Sequence, residues 1–279
     1  MKFAAMKFQR RGSFARVLAT IFVVCLCLAA AATAHAQTGR EIMQEQDRRH
    51  GSKSEITMST MTIKNQRGGV RERSMVVYSS EDDSGSSRSL LKFLDPRDIE
   101  NVGLLTWQKP GDEEDDQWLY LPASRQTKRI VGGAKKNAFM GTDLAYEDMR
   151  AEDLKAHDYE TVGEETVDGH PVWIVAATPA TEEERRNSGY AKRILWIRKD
   201  NYMTVKTSFR DRRDREIKRA TFSGLEQIEG QKWRANSAFY ETMATGGSTL
   251  STVDKREIEA SIEESIFAPA NISRRPRVR

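Results

Sequence analysis

The sequence has very little cysteine and histidine, and these absences limit the chemistry that the chain can perform. Its 279 residues include two cysteines and four histidines. Cys25 and Cys27 both lie in an apolar N-terminal run, and neither follows the small residues that a bacterial lipid-attachment site requires. If that run is removed on export, no thiol remains for a disulfide, a thiolate metal site or a cysteine nucleophile. The protein then has to be stabilised by its core.

Sequence motifs of common catalytic sites are also missing. No G-x-S-x-G or H-E-x-x-H pattern occurs, and no glycine-rich phosphate loop opens a helix. His50, His157 and His170 lie outside the N-terminal run, and none of them has the spacing of a metal ligand. We therefore expect a protein that is not an enzyme and that has no bound metal or cofactor. A hydrolase remains the least favoured class.

Residues 1–36 have the three parts of a secretory signal peptide. An apolar core over residues 17–32 is followed by Ala34-His35-Ala36, a small-x-small cleavage site, so the mature chain is expected to begin near Gln37. The core is too short to span a bilayer, although an uncleaved anchor is the alternative. The sequence does not decide between Sec and twin-arginine export. The basic residues before the core are Lys2, Lys7, Arg10, Arg11 and Arg16.

The charge balance of the mature chain excludes a simple nucleic-acid-binding surface. Removing those five residues from the 45 Lys and Arg leaves 40, against 41 Asp and Glu, for a net charge of about −1. Residues 274–279 are the one strongly basic cluster and are expected to form a disordered tail with at most transient membrane contact. Two acidic runs, residues 81–85 and 112–116, lack the oxygen spacing of an EF-hand and predict solvated hairpin turns.

Alternating apolar residues and short turn motifs predict a mainly β protein. Ser59-Thr60 marks a bulge, and Asp168-Gly169 suits a type I′ hairpin turn. The pattern predicts a single curved antiparallel sheet with few helices. Helices are predicted over residues 38–49, 142–150, 181–187 and 262–267. Strands are predicted over residues 54–66, 70–80, 88–96, 102–108, 116–122, 127–133, 159–167, 170–179, 191–199, 202–211, 216–230 and 232–244.

Large aromatic side chains are the most distinctive content of these strands, since all five tryptophans fall in them. Core packing is the ordinary explanation. A curved sheet of this length has one concave face, however, and a few short helices cover only part of it. Residues 139–149 are predicted to form an amphipathic lid on that face, with Thr142 as the helix N-cap. Apolar surface left uncovered usually marks a binding site.

Residues 116–130, DQWLYLPASRQTKRI, and residues 139–149, FMGTDLAYEDM, resemble the signature of the LolA-like outer-membrane lipoprotein-sorting proteins. The resemblance is to the subgroup associated with RND-type lipid exporters, and it extends over about residues 40–272. It implies one domain over residues 37–273 with a half-open β-barrel round an apolar cavity, closed by short helices. It also implies a periplasmic protein that carries lipid or lipoprotein.

The resemblance and the aromatic pattern together give candidate site residues. Strand parity leaves open whether Trp118 or Leu119 faces the cavity. Gly132, Gly133 and Gly141 are candidate hinges for the lid. The expected cavity lining is Trp107, Trp118, Tyr120, Trp173 and Trp196. The lid residues are Phe139, Met140, Leu144 and Tyr146, and the rim residues expected to meet headgroups or a membrane partner are Arg125, Lys128 and Arg129.

Two functions remain open from the sequence. The first is a carrier that holds acyl chains in its cavity and shuttles them between inner and outer membranes, supplied by an RND-type transporter. The second is a lipid-sensing regulatory or scaffold protein that binds a membrane-protein partner. Bound acyl species would favour the first, and an empty cavity with tight partner binding would favour the second.

Overall fold

Thirteen antiparallel strands form a single sheet in the computed structural model, which describes residues 37–109 and 115–276. The predicted signal peptide, residues 112–114 of the second acidic run and residues 277–279 of the basic tail lie outside the described residues. The strands are β1 (Ser54–Lys64), β2 (Val70–Glu81), β3 (Ser87–Asp95), β4 (Gly103–Gln108), β5 (Asp116–Leu121), β6 (Gln126–Ile130), β7 (His157–Val167), β8 (His170–Pro179), β9 (Lys192–Arg198), β10 (Thr204–Arg210), β11 (Glu216–Glu229), β12 (Lys232–Thr242) and β13 (Gly247–Ile258).

The order across the sheet is β6-β5-β4-β3-β2-β1-β13-β12-β11-β10-β9-β8-β7. The predicted single antiparallel sheet is confirmed, with β6 and β7 at its two edges. The apolar alternation does not predict β13, because the sequence there offers Thr249 and Ser251 where apolar residues would signal a strand. Strand β13 nevertheless pairs with both β1 and β12 and joins the two halves of the sheet.

Two local features of the strands agree with the sequence pattern. Asp168 and Gly169 both have positive φ, 50° and 79°, as a type I′ turn requires. The register of β1 against β13 shifts between Met58 and Ser59, next to the predicted bulge. The shift changes which residues of β1 share a face with β13, and a bulge of this kind also increases the local twist.

The sheet is strongly curved, as the contacts of one short segment show. Gln117 on β5 donates from Nε2 to Tyr146 O over 3.1 Å, while Lys218 on β11 pairs with Asp148. Seven strand spacings separate β5 from β11 in the order above, which in a flat sheet is roughly 34 Å. Residues 146 and 148 are at most about 7 Å apart along the chain. The sheet therefore wraps round this segment, and the face that meets it is called the concave face.

Alternate residues of each strand divide between the concave face and the outer face. Leu104 and Leu119 lie opposite each other on β4 and β5, and both pack against the lid on the concave face. Leu105 and Trp118 form the adjacent pair and belong to a separate cluster on the outer face. Because both faces of these strands are covered, apolar residues occur at consecutive positions rather than in alternation.

Three segments outside the sheet provide this cover. Helix α1 (Gly39–His50) packs Ile42 and Met43 on the concave face of β8 and β9. The lid, residues 139–149, covers the concave face of β2 to β5. The C-terminal strap, residues 261–273, places Phe267 and Ile272 on the outer face of the same strands. No helix in residues 37–109 and 115–276 is both long and apolar enough to cross a bilayer.

The helix predictions hold at the two positions where a side chain caps the first turn. Thr38 caps α1, where its Oγ1 accepts from Glu41 N over 3.2 Å and Glu41 reciprocates at Thr38 N over 2.8 Å. Thr181 caps the short helix α2 (Glu182–Asn187) in the same way, through Glu184 N over 3.1 Å. Both segments therefore begin at the residue type that the sequence signal requires.

The predicted helix over residues 142–150 is wrong except for one 3₁₀ turn, Tyr146–Met149. Thr142 does not cap a helix, because its Oγ1 donates to Phe139 O over 2.7 Å and accepts from Leu144 N over 3.2 Å. These bonds close a tight turn that places Phe139 and Leu144 together against the concave face of the sheet. The predicted strand over residues 127–133 ends at Ile130 and is followed by a 3₁₀ helix, Gly132–Lys136. The predicted helix over residues 262–267 is a 3₁₀ turn, Glu264–Phe267.

Candidate functional site

An apolar cluster fills the concave face beneath the lid. Phe139 is fully buried, and Leu144 and Tyr146 are almost so. The Phe139 ring stacks on Phe93 at 5.7 Å between centroids and meets Tyr146 edge-on at 5.6 Å. Each such side chain stabilises the closed lid by about 1.5–3 kcal/mol. The sheet and the β3–β4 connection contribute Met61, Met75, Leu91, Ile99, Val102, Leu104 and Leu119.

A few directional hydrogen bonds attach the front of the lid to the sheet. Arg73 on β2 donates from Nη1 to Met140 O over 2.7 Å. Asp143 N donates to Thr249 Oγ1 on β13 over 3.0 Å, and that hydroxyl donates to Asp143 Oδ2 over 2.8 Å. Gly141 lies between these anchors with φ of +73°, a left-handed conformation that favours glycine. The lid is thus held at separate points and not along a continuous strand pairing.

A buried ion pair fastens the other end of the lid. Asp148 and Lys218 on β11 pair with side chains that are only 5% and 6% exposed. Tyr190 OH donates to Asp148 Oδ1 over 2.9 Å, and burial together with Asp148 raises the Tyr190 pKa well above its ordinary value. Removing one partner of such a pair leaves an uncompensated buried charge. The pair therefore acts as a latch between the lid and β11.

The neighbouring carboxylate, Glu147, docks the lid onto the α2–β9 connection. It accepts from Ser188 Oγ over 2.7 Å and from Gly189 N over 2.8 Å. Burial raises the pKa of Glu147, although these hydrogen bonds oppose the shift. The lid consequently carries two adjacent buried carboxylates, each satisfied by a different element.

A cavity of about 230 Å³ remains between the lid and α1, and its lining is largely ionic. Arg193 binds Glu152 with two hydrogen bonds of 2.7 Å. Burial raises the pKa of Glu152, but the charge and hydrogen bonds of Arg193 outweigh it and lower the pKa to about 2. Burial, reinforced by Arg193, lowers the pKa of His157 to about 4. The cavity is smaller than typical ligand sites of about 300–1,000 Å³, so the apolar cluster is the better candidate for acyl chains.

The five aromatic residues predicted to line one cavity lie on two faces of the sheet. Trp173 faces the concave side beneath α1. Trp107, Trp118 and Tyr120 belong to the outer-face cluster. Trp196 also points outward, since its neighbours on β9 face α1. A single lining made of all five and the lid is therefore wrong, and contact of any one with lipid stays a prediction.

The structure shows which of Trp118 and Leu119 on β5 faces the lid. Leu119 packs against the lid, and Trp118 packs edge-on against Trp107 at 5.2 Å on the opposite face. Among the predicted lid residues, Phe139, Leu144 and Tyr146 are buried as the lid hypothesis requires, while Met140 is partly buried against the same cluster.

The predicted rim residues differ in their surroundings. Arg129 on β6 donates from Nε to Asp116 Oδ1 over 2.8 Å on the outer face, so its charge is already paired. Lys128 is exposed on the same edge strand, and Arg125 is exposed in the β5–β6 turn with φ of 52°. Contact of these cations with headgroups stays a prediction.

The second acidic run is not wholly solvated. Asp115 is 7% exposed and pairs with Arg150 at the end of the lid, and Asp116 is equally buried against Arg129 and Lys109. The prediction of a solvated turn over residues 112–116 is therefore wrong for these two carboxylates. Their burial is explained by cations outside the acidic run, namely Lys109 before it, Arg129 on the neighbouring strand β6 and Arg150 after the lid.

A fully buried lysine on the outer face is the feature that the sequence reasoning missed. Lys92 Nζ donates to Asn101 Oδ1 over 2.9 Å, to Asn101 O over 3.2 Å and to Ile272 O on the strap. No carboxylate in the described parts of the chain pairs with it, and burial lowers its pKa to about 8. The sequence does indicate this burial, because Lys92 lies within a run of apolar residues and such a run is typical of a strand covered on both faces. That run is Leu90, Leu91, Phe93 and Leu94.

Comparisons with known proteins identify the family. The sequence model of a family described as "Uncharacterized protein" matches residues 85–274. The chain is 30% identical to an outer membrane lipoprotein-sorting protein domain from Vibrio parahaemolyticus, covering 85% of this chain and 98% of that one with a TM-score of 0.79. The chain belongs to the LolA-like outer membrane lipoprotein-sorting family. No curated protein shows significant sequence similarity to it.

Two further crystal structures agree with this LolA-like assignment. A DUF1329 family protein from Desulfovibrio piger is 28% identical, with coverage of 84% and 97% and a TM-score of 0.79. A LolA superfamily protein from Nitrosomonas europaea is 17% identical over 84% of this chain and 99% of its own, with a TM-score of 0.65, and shows the same fold. The half-open barrel expected of a LolA-like protein is thus the architecture of this chain.

Proposed function

We propose that the protein is a periplasmic carrier that binds the acyl chains of lipoproteins or lipids on its concave face. One observation carries this proposal: an apolar cluster on the concave face is covered by a separately anchored lid rather than by the sheet itself. The Vibrio relative is described as a lipoprotein-sorting protein, which supports the same class of cargo. A binding protein of this kind acts without catalysis.

The finer parts of the proposal concern location and traffic. A signal peptide over residues 1–36 directs the mature domain, residues 37–273, to the periplasm. There the carrier accepts cargo from an RND-type transporter in the inner membrane and delivers it toward the outer membrane, with transient membrane contact at Arg125 and Lys128. The short apolar N-terminal run and its cleavage motif support export.

Energetics make exchange between lid and cargo feasible. Lifting Phe139, Leu144 and Tyr146 from the sheet costs about 5–9 kcal/mol at about 1.5–3 kcal/mol each. An acyl chain of ordinary length gains on the order of 10 kcal/mol on leaving water, at about 0.8 kcal/mol for each methylene. The two quantities are of similar size, so cargo displaces the lid without becoming irreversibly bound. Without a lid to displace, no cost would offset the transfer free energy of the acyl chain, and the cargo would be bound too tightly for release.

Locking the lid to the sheet tests the proposal. The mature chain contains no cysteine, so an Asp143→Cys, Thr249→Cys double variant creates one cross-link between lid and β13. Loading is measured as transfer of a fluorescent tri-acylated lipopeptide from phosphatidylethanolamine vesicles to the protein. We expect the oxidised variant to acquire no lipopeptide and the reduced variant to acquire it normally, because only the reduced lid can leave the apolar cluster.

The matched control is a cross-link between the lid and Ala138, the residue that precedes it. Ala138 and Ala145 face each other in an antiparallel bridge, so Ala138→Cys with Ala145→Cys cross-links the two arms of the turn and leaves the lid free of the sheet. This variant is expected to load in both redox states. Loading of the oxidised lid–β13 variant at the rate of its reduced form would refute the proposal.

A further inference from the structure

A second cavity lies on the outer face, on the opposite side of the sheet from the lid. Its volume is about 540 Å³, within the usual range for small-molecule sites of about 300–1,000 Å³. It lies between the strap and strands β1 to β3. The floor is formed by Ile56, Met58, Val76 and Leu90, and the strap supplies Ile262 and Ile266 as a roof.

The strap is fixed at its far end, so the cavity is a built feature of the fold. Trp107 Nε1 donates to Phe267 O over 2.8 Å, and Asn101 Nδ2 donates to Ser273 O over 2.9 Å. Lys92, on the outer face of β3, donates to Ile272 O. These bonds immobilise the strap beyond Phe267 while Ile262 and Ile266 span the cavity.

The mouth of this outer cavity carries charges of both signs, and two of its cations form no ion pair in the described part of the chain. Its charged residues are Lys255, Arg274, Arg275, Glu257 and Glu263, in addition to the buried Lys92. Arg275 pairs with Glu100 over 3.0 Å. Within residues 37–109 and 115–276, Lys255 and Arg274 form no ion pair. Lys92 is saturated by three acceptors and is therefore structural.

We infer that the outer cavity binds one long-chain fatty acid, with its tail on the apolar floor and its carboxylate at Lys255 and Arg274. Three observations carry this inference: the apolar floor and roof, the fixed strap and the two unpaired cations at the mouth. The cavity volume suits one chain. This site is distinct from the acyl site proposed beneath the lid, because the whole sheet separates the two.

The test uses the mature protein and dansylated undecanoate, whose fluorescence rises in an apolar site. A Lys255→Glu, Arg274→Glu variant reverses both charges at the mouth, and we expect roughly tenfold weaker binding, since each exposed charge contributes up to about fivefold. The control is Arg212→Glu with Arg213→Glu, two exposed cations on the β10–β11 turn that make the same change in net charge. The control is expected to bind as the wild type does, and added salt is expected to weaken wild-type binding.

Both measurements are repeated in the oxidised Asp143→Cys, Thr249→Cys background, where the lid is held closed. If the cross-linked protein binds the fatty acid as tightly as the wild type and loses the same affinity on charge reversal, the fatty acid lies on the outer face. This result does not depend on whether acyl chains bind beneath the lid. Three results would overturn the inference: no binding to the wild type, equal affinity of the reversal and control variants, or loss of binding on locking the lid. Circular dichroism of each variant establishes that it is folded.

Discussion

Lys92 shows how one side chain connects two parts of this fold. Its ammonium group is buried between the outer face of β3 and the strap, yet all three of its acceptors are neutral oxygens, one of them on the strap. Burial without a carboxylate disfavours the charged form, which is why its pKa falls to about 8. The same placement attaches the strap to β3, so the lysine has a structural role that a hydrophobic residue of similar size cannot fully replace.

The pH dependence of stability tests this description of Lys92. Between pH 8 and 10.5 the unfolded chain retains a proton on this lysine that the folded chain has lost, so the free energy of unfolding rises with pH across that window. The rise amounts to about 3 kcal/mol. We expect urea unfolding of the wild type to show this rise relative to Lys92→Met, which lacks the group. Parallel pH profiles for the two proteins would contradict the assignment.

Among the elements, the lid is the one whose buried residues the sequence predicts but whose backbone conformation it does not. Its apolar residues were identifiable because they recur close together in a segment otherwise rich in polar residues. The backbone conformation of the lid could not be predicted, because the Thr142 hydroxyl can either cap a helix or close a turn onto Phe139. Helix α1 presents the converse case: its N-terminus follows from Thr38 and Glu41, but its largely polar sequence does not predict the complete burial of Ile42.

The Asp148–Lys218 latch leads to a prediction about lid opening. Lys218→Met leaves the Asp148 carboxylate buried without its cation, an effect of about 3–5 kcal/mol. We expect the lid amide of Asp143, which donates to Thr249 Oγ1 on β13 over 3.0 Å, to exchange hydrogen about a hundredfold faster or more. Amides of the sheet should change much less, because the lid opens without global unfolding. Hydrogen exchange followed by NMR provides the measurement.

Two further variants make the latch experiment specific. Asp148→Leu combined with Lys218→Met removes both charges and is expected to recover much of the protection lost in the single variant. Lys53→Met removes a cation from the exposed Lys53–Asp83 pair and should leave lid exchange unchanged. Lid protection that is equal in the wild type and in Lys218→Met would show that the pair does not hold the lid.

For the whole molecule, the sheet was predictable but the assignment of its faces was not. Tight turns such as Asp168-Gly169 and recurrent short strands indicate an antiparallel sheet directly. The strands that meet both the lid and the strap carry apolar residues at consecutive positions, so alternation does not tell Leu119 from Trp118. Which of them faces the lid depends on segments distant in sequence that cover each face. The aromatic residue was the more conspicuous one, and it faces the strap.

Site-specific photocrosslinking tests whether acyl chains occupy the concave face beneath the lid. Benzoylphenylalanine is placed at Tyr146, on the lid above the apolar cluster, or at Trp118, on the outer face. Each mature protein is loaded with tri-acylated lipopeptide, irradiated and digested, and the adducts are mapped by mass spectrometry. We expect an acyl adduct at position 146 and none at position 118. No adduct at 146, or equal yields at both positions, would contradict the proposed acyl site beneath the lid.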